Sequence, residues 1–391
     1  MLGPIMGCDA PNFALKRLTP KKFCLQMMLE SIALSFVPNL GVRGAVHLVE
    51  CFGSAEAVYA ASEAELIERA DLRRDIAASI VARKGFSEAE RELVYCSRNG
   101  ITPLCSTNEA YPRLLREIDD YPIVLYVCGD VSVLSRPSVA FVGTRKMSAY
   151  GQRMCEGLIS SLKDVVPDVS IVSGLAYGVD GASHRAALMA GATTVGVLAN
   201  ALPSVTPVAN ERLAAEMVAR GGALVTELNS QSKQNGRYFI PRNRIIAGLC
   251  TGVVVVESGE SGGSLSTAAF ADGYNRQVMA VPGRASDSNS RGCNLLIRNR
   301  KAQLVLSGED IARELMWELG LDSEPKEVSG AIPLTDDEQT FMELFDSEPI
   351  GIDELQVRSG LSSGELTLML MNLELSGAVR PLPGKRYERS I

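Results

Sequence analysis

With 391 residues, 46% of them hydrophobic and 22% charged, the chain is long enough for two or three folding units and too apolar to be disordered. Nine scattered cysteines with no C-x-x-C fit reduced thiols rather than a disulfide framework, and two histidines, His47 and His184, leave a zinc site without grouped ligands. The net charge of −7 argues against a polyanionic partner only until it is divided: Ser307 to Ile391 holds 18 acidic and 7 basic residues, which leaves a net +4 on residues 1–306.

Residues 1–21 lack the basic, apolar and small-residue order of a signal peptide and are expected to be a disordered tail. No 18-residue apolar span follows, so the expectation is a cytoplasmic protein with no membrane partner. Residues 22–100 read as a helical domain, apolar at helical spacing and broken by Pro38, Asn39, Gly41 and Gly53. Within it VPNLGVRGAVHLVECFG resembles a helix-hairpin-helix, whose glycine turn offers backbone N–H groups to a phosphate; a plain helical bundle is the other reading. Residues 101–136, with Pro103, Pro112 and Pro122, read as an irregular lead-in to the next domain.

That domain, 101–320, is predicted as an α/β, Rossmann-like parallel sheet with helices on both faces. SVAFVGT, VSIVSGL, TTVGVLA, GALVTEL, TGVVVVES, QVMAVPG and AQLVLS are continuous apolar runs of the kind buried strands show. Between most of them lie helical patterns, YGQRMCEGLISSLKDV, DGASHRAALMAG, NERLAAEMVARG, LSTAAFADGYN and GCNLLIRNRKA, as right-handed βαβ crossovers require. Such sheets bind ligands at the carboxyl ends of their strands. There the sequence places Gly143-Thr144-Arg145-Lys146, Ser173-Gly174, Glu227, Glu257-Ser258, Ser261-Gly262-Gly263-Ser264 and Pro282-Gly283-Arg284. Glycines admit a ligand close to the backbone and helix starts favour anions, so this edge reads as built for phosphate.

A dinucleotide fold needs G-x-G-x-x-G after the first strand and an acidic residue ending the second. Here the turn is GTRKMSAYG and the strand ends in SGLA, so no nicotinamide cofactor is expected. The G-x-x-x-x-G-K-[ST] spacing is absent too. Several separated cations, Arg145, Lys146, Arg237, Arg242, Arg244, Arg284, Arg291 and Arg298, suit a repeating phosphate chain better than one small anion. Phe239 lies among them as a ring on which an unstacked base can rest, with a core position as the other reading. Catalysts are thin. Asp180 and His184, four apart on one helix face, read as a structural capping pair. Ser173 and Ser264 lack a G-x-S-x-G elbow, and Glu227 and Glu257 read as acceptors for nearby arginine or backbone. No catalytic residue, metal or cofactor is assigned.

After a linker over 321–333, residues 334–391 carry three helical patterns and a hairpin, AVRPLPGKRYER, which match a winged helix. Its third helix holds Glu365 and Glu374 and no basic residue, which favours a protein contact over the usual major-groove one; Lys385, Arg386 and Arg389 stand in the wing.

VGTRKMSAYG (142–151), SGLAYGVDGASHRAAL (173–188), FIPRNRIIAGL (239–249), SGGSLSTAAFA (261–271) and VPGRASDSNSRGCNLLI (281–297) resemble, in order and spacing, the successive motifs of the DNA-processing protein A family, DprA or Smf. The resemblance implies a homodimer that binds single-stranded DNA without catalytic turnover and loads the RecA recombinase onto DNA taken up in natural transformation. By that resemblance Gly143, Thr144 and Arg145 hold a phosphate and Ser173 and Gly174 shape the adjacent turn. Phe239, Arg242, Asn243 and Arg244 cradle a base and its backbone, and Ser261, Gly262, Gly263 and Ser264 complete the pocket. Thr206-Pro207-Val208 departs from the family, which there has an aromatic residue, proline and a cation. Two other classes stay open: a nucleotide-processing hydrolase of the lysine-decarboxylase-like type and a nucleotide-sensing module. The first needs P-G-G-x-G-T-x-x-E, whereas Ala268, Ala269 and Phe270 stand downstream of Gly263 here. On the DNA-binding reading, Arg145, Arg242 and Arg244 are expected to converge at one rim.

Overall fold

The helical pattern of the N-terminal third becomes α1 (Pro20–Ser35), α2 (Gly41–Phe52), α3 (Ala55–Ala60), α4 (Glu63–Ala70), α5 (Arg74–Val81) and α6 (Phe86–Arg98) in a computed structural model. The structure describes residues 20–317, 335–345, 349–375, 378–382 and 386–389; the expected tail as far as residue 19, the linker over 321–333 and Lys385 lie outside them. Start signals sit where helix chemistry asks for them. Ser62 and Glu65 form a reciprocal capping box on α4, and the Ser54 hydroxyl accepts from the Ala57 N–H on α3. The chain divides into two units, Met1–Leu319 and Gly320–Ile391.

Residues 101–136 are not irregular. They supply β1 (Thr102–Cys105), α7 (Arg113–Arg116) and β2 (Val124–Gly129), which extend the sheet through two antiparallel pairings, β2 with β6 and β1 with β2. Pro103 is tolerated because β1 is the edge strand, where a missing ladder N–H costs little. The seven apolar runs follow as β3 (Ser138–Val142), β4 (Ser170–Ser173), β5 (Thr193–Val197), β6 (Ala223–Thr226), β7 (Gly252–Val255), β8 (Gln277–Ala280) and β9 (Gln303–Leu304). Between them run α8 (Ala149–Val165), α9 (Val179–Met189), α10 (Glu211–Ala219), α11 (Phe239–Leu249), α12 (Gly263–Gly273) and α13 (Arg291–Arg298), with α14 (Gly308–Glu314) after β9. The order is β1-β2-β6-β5-β4-β3-β7-β8-β9, parallel from β6 to β9.

Alternate side chains of each strand feed two cores. Val139 and Phe141 join α8, α9 and α14 on one face, while Ala140 and Val142 join the core shared with the N-terminal helices on the other. Two polar ties reinforce that second packing. The Tyr95 hydroxyl donates to the Leu202 carbonyl (3.1 Å), and buried Glu92 accepts from the N–H (2.9 Å) and hydroxyl of Ser230.

Asp180 and His184 do not pair with each other. The Thr194 hydroxyl donates to the Ile171 carbonyl, so its oxygen accepts from His184 Nδ1 at 2.7 Å, and His184 Nε2 is buried without a partner among the described residues. Burial, with Arg185 and Arg242 nearby, pushes this imidazole down to about 3. An unfolded histidine gains its proton below about pH 6.5, so the unfolded state binds more protons as pH falls and folding stability drops. In urea unfolding, the wild type is expected to lose about 2 kcal/mol between pH 6.5 and 4.5 beyond the loss of His184→Gln. Equal slopes for the two proteins refute the assignment.

The second unit contains α15 (Asp336–Met342), β10 (Ile350–Gly351), α16 (Ile352–Ser359), α17 (Ser363–Leu375), β11 (Val379–Leu382) and β12 (Arg386–Arg389) around Phe341, Leu355, Leu366, Leu370 and Leu373. Its sheet order is β10-β12-β11, a winged helix with β11 and β12 as the wing. The outward side of α17 shows Glu365, Leu368, Met371 and Glu374. Among the described residues no helix is long and apolar enough to cross a membrane.

Candidate nucleic-acid interface

From β3 the chain winds outward through β4, β5 and β6 to one side, then returns to lay β7, β8 and β9 on the other. The carboxyl ends of β3 and β7 therefore part at a switch point, where sheets of this type leave a crevice. A cavity of about 580 Å³ occupies it. Four segments line it: the loop after β3, Ala176 and Asp180 between β4 and the first turn of α9, the first turns of α11, and the β7–α12 connection with the start of α12.

The contribution of α11 follows from helical spacing. Phe239, Arg242, Asn243 and Ile246 stand at i, i+3, i+4 and i+7 and face the cavity together. FIPRNRIIAGL is thus a helix, which linear reading of Arg242-Asn243-Arg244 as one cluster misses. Pro241 lies in its first turn, where an N–H has no helical partner to lose.

Arg244 points elsewhere, and the expected convergence of three arginines is corrected to two. Its side chain is 6% exposed, paired with Glu227 and 3.8 Å from Asp120, and it does not line the cavity. Glu227 is pushed up by burial, an effect that Arg244 opposes. Arg242 does line the cavity, but from its floor. Its guanidinium donates to the carbonyls of Gly174 (2.8 Å) and Val197 and to Asn243 Oδ1 (3.2 Å). A Cβ on residue 174 would stand 2.5 Å from that guanidinium, so only glycine permits the approach. Burial lowers Arg242 to about 10, Asp180 opposes this, and the group stays charged.

Arg145 differs from both. It is exposed, has no carboxylate partner among the described residues, and lies 5.2 Å over the Phe239 ring. Its loop is held from both sides: the Thr144 N–H donates to the Glu257 carbonyl (2.7 Å), and the Thr144 carbonyl accepts from the Val179 N–H (3.2 Å). The Glu257 carboxylate accepts from the Ser148 N–H (2.9 Å) and hydroxyl (2.5 Å), fixing the start of α8. Both strand-end glutamates are thus acceptors.

Opposite lies the start of α12. Gly262 has φ 155° and ψ 169°, a region glycine alone tolerates, and opens the helix, whose first residues Gly263 and Ser264 line the cavity with N–H groups that helix geometry leaves without an intrahelical partner. Ser258 and Ser264 share a hydroxyl contact of 2.9 Å, and Asn243 Nδ2 donates to the Gly263 carbonyl (3.1 Å), joining α11 to α12.

Of the residues singled out in the sequence, Gly143, Thr144, Arg145, Phe239, Arg242, Asn243, Ser261, Gly262, Gly263 and Ser264 come together here. Ser173 and Gly174 do not line the cavity. The Ser173 hydroxyl is buried and donates to the Phe141 carbonyl (2.6 Å), while Gly174 lies beneath Arg242. Lys146, Arg237 and Arg284 also stand outside it, exposed and without a carboxylate partner among the described residues, on loops after β3, β6 and β8 at the same sheet edge. Sequence reading placed Ser258 at this edge but missed Asp180, Ile240, Ser266 and Thr267 as lining residues. Asp180 accepts from the Ala176 N–H (3.3 Å); burial raises its pKa, and Arg242 and neighbouring N–H groups oppose the rise.

Residues 102–316 match the family model described as DNA recombination-mediator protein A, and residues 325–385 match the DprA winged helix domain. The class is accordingly a Rossmann-like recombination mediator with a winged helix. Protein Smf of Escherichia coli K12 is 36% identical over 285 residues, 71% of this chain and 74% of that protein. The crystal structure of DNA processing protein A from Streptococcus pneumoniae superposes with a TM-score of 0.59 at 32% identity, covering 73% of this chain and 97% of that one. DNA processing protein A from Helicobacter pylori, described for its single-stranded DNA binding mode, gives 0.50 at 27% identity, over 56% and 97%. The chain belongs to the DNA processing protein A family.

Proposed function

We propose that the protein binds single-stranded DNA along the carboxyl edge of its sheet, protects DNA entering by natural transformation, and loads the RecA recombinase onto it, as a cytoplasmic homodimer without catalytic turnover. The observation that carries this reading is Arg145, an unpaired cation stacked on Phe239 opposite the free N–H groups of α12. One ring, one accessible cation and a helix start offer a base face and phosphate sites side by side. Lys146, Arg237 and Arg284 continue the positive edge, as a repeating polyanion requires and a mononucleotide does not. The Helicobacter relative supports the choice of single strands.

The carboxylates near the cavity speak against hydrolysis. Asp180 and Glu257 are both engaged by backbone N–H groups, and neither is a free base. The short edge strand β9, with Leu304 exposed within it and Leu306 exposed just after it, supports self-association. On α17 the exposed Leu368 and Met371 between Glu365 and Glu374 suit a protein contact better than phosphate.

Fluorescence anisotropy of labelled oligo-dT across a salt series tests the central claim. The expected log–log slope is about −0.7 per phosphate neutralised, hence about −2 or steeper for three contacts. Salt-independent binding together with AMP hydrolysis replaces this reading with the hydrolase.

A further inference from the structure

Among the described residues Tyr177 is the one aromatic side chain more than half exposed, at 54%. It lies in the loop between β4 and α9, flanked by Ala176 and, three residues on, Asp180, both of which line the cavity; its own side chain does not. Tyr177 therefore belongs to a loop that borders the cavity, with its ring in solvent.

A ring left in water on a mobile loop means little, but this backbone is clamped. The Val179 N–H donates to the Thr144 carbonyl (3.2 Å) and the Gly181 N–H to the Ala176 carbonyl (3.1 Å). Asn210 Nδ2 donates to the carbonyls of Leu175 (2.9 Å) and Ala176 (3.2 Å). Gly178 packs so closely on the next loop that a Cβ there would stand 2.8 Å from Arg145 Cα. Tyr177 is thus fixed beside the residue whose guanidinium covers Phe239. Its hydroxyl has no hydrogen-bond partner among the described residues, and no second ring covers it.

We infer that Tyr177 is a second stacking platform, on which the base next to the one in the cavity lies, so that the strand leaves the crevice across the end of β4. This rests on the single-stranded DNA reading given above. A solvated ring on a clamped backbone is suited to this role, because stacking a base removes its face from water without first ordering the loop. Arg145 between the two ring positions then meets the intervening phosphate.

The test uses the full chain and two labelled probes, oligo-dT and an oligonucleotide of equal length made of abasic units. Tyr177→Ala is expected to weaken oligo-dT binding about tenfold, with the salt slope unchanged and the abasic probe unaffected. Tyr177→Phe and Tyr177→Trp restore binding, since the ring and not the hydroxyl acts. Wild-type affinity in Tyr177→Ala, or an equal loss on both probes, overturns the assignment while leaving single-stranded DNA binding intact. Failure of the wild type to bind oligo-dT overturns both.

Discussion

Arg145→Ala is expected to lower affinity for oligo-dT by tenfold or more at low salt and to flatten the log–log salt slope by about 0.7, the value for one lost phosphate on a single strand. The side chain is exposed and unpaired, so its removal leaves no buried charge behind, and the folded protein should change in stability by less than about 1 kcal/mol. Arg145→Lys separates the two jobs. The ammonium retains the charge and hence the slope, but it lacks the plane that covers Phe239, so affinity should fall between wild type and alanine. Anisotropy titrations at several salt concentrations, with urea unfolding of the same samples, read all three quantities. An unchanged slope in Arg145→Ala removes this residue from the interface.

Arg244→Ala should do the reverse. Removing one partner of a buried pair strands the other, at a cost of about 3–5 kcal/mol. DNA affinity of the protein that remains folded should hardly move. Glu227 already lies above the usual carboxylate range because of burial, and Arg244 is what holds it down. Without the arginine its folded-state pKa rises further above the unfolded value. Ionising it then destabilises the fold above about pH 4.5, and the penalty shrinks as pH falls and the carboxyl takes up its proton. Urea midpoints should therefore show a larger deficit at pH 8 than at pH 5.5. Joint replacement, Arg244→Met with Glu227→Leu, should recover most of the loss, since an apolar pair needs no mutual neutralisation. Lost DNA affinity with intact stability places Arg244 at the interface after all.

Arg242 and Arg244, separated by one residue, differ in the same way, the first lining the cavity and the second held in a buried ion pair, and that distinction marks how far the sequence can be read. Strands β3 to β8 were legible because burial on both faces calls for near-continuous apolar runs, whereas β9 is an exposed edge whose apolar run misleads about its burial. The glycine and serine loops were legible because a parallel sheet sends every strand's carboxyl end to one edge. Less visible were β1 and β2, whose surrounding prolines read as breakers although an edge strand accommodates one. The helix from Phe239 to Leu249 was hidden for a related reason, since Pro241 sits in its first turn, where proline is harmless. Once that helix is recognised, spacing alone sends Arg242 and Arg244 to different faces. The carboxylates that claim Arg244, Asp120 and Glu227, belong to separate segments, and no local pattern brings them together. In sequence Asp180 reads as half of a capping pair because a helix period shows which residues share a face, not what that face meets.

The tie between Glu92 and Ser230 bears on where this chain can be cut. The stretch that matches the mediator family begins at residue 102, yet the lid over one side of its sheet is woven from the residues before it. A fragment trimmed to the family boundary would bare the apolar side chains of β1 and β2 and leave the segment leading to Arg237 and Phe239 without its anchor. The family boundary marks shared ancestry, whereas the self-sufficient folding body reaches back into the N-terminal helices.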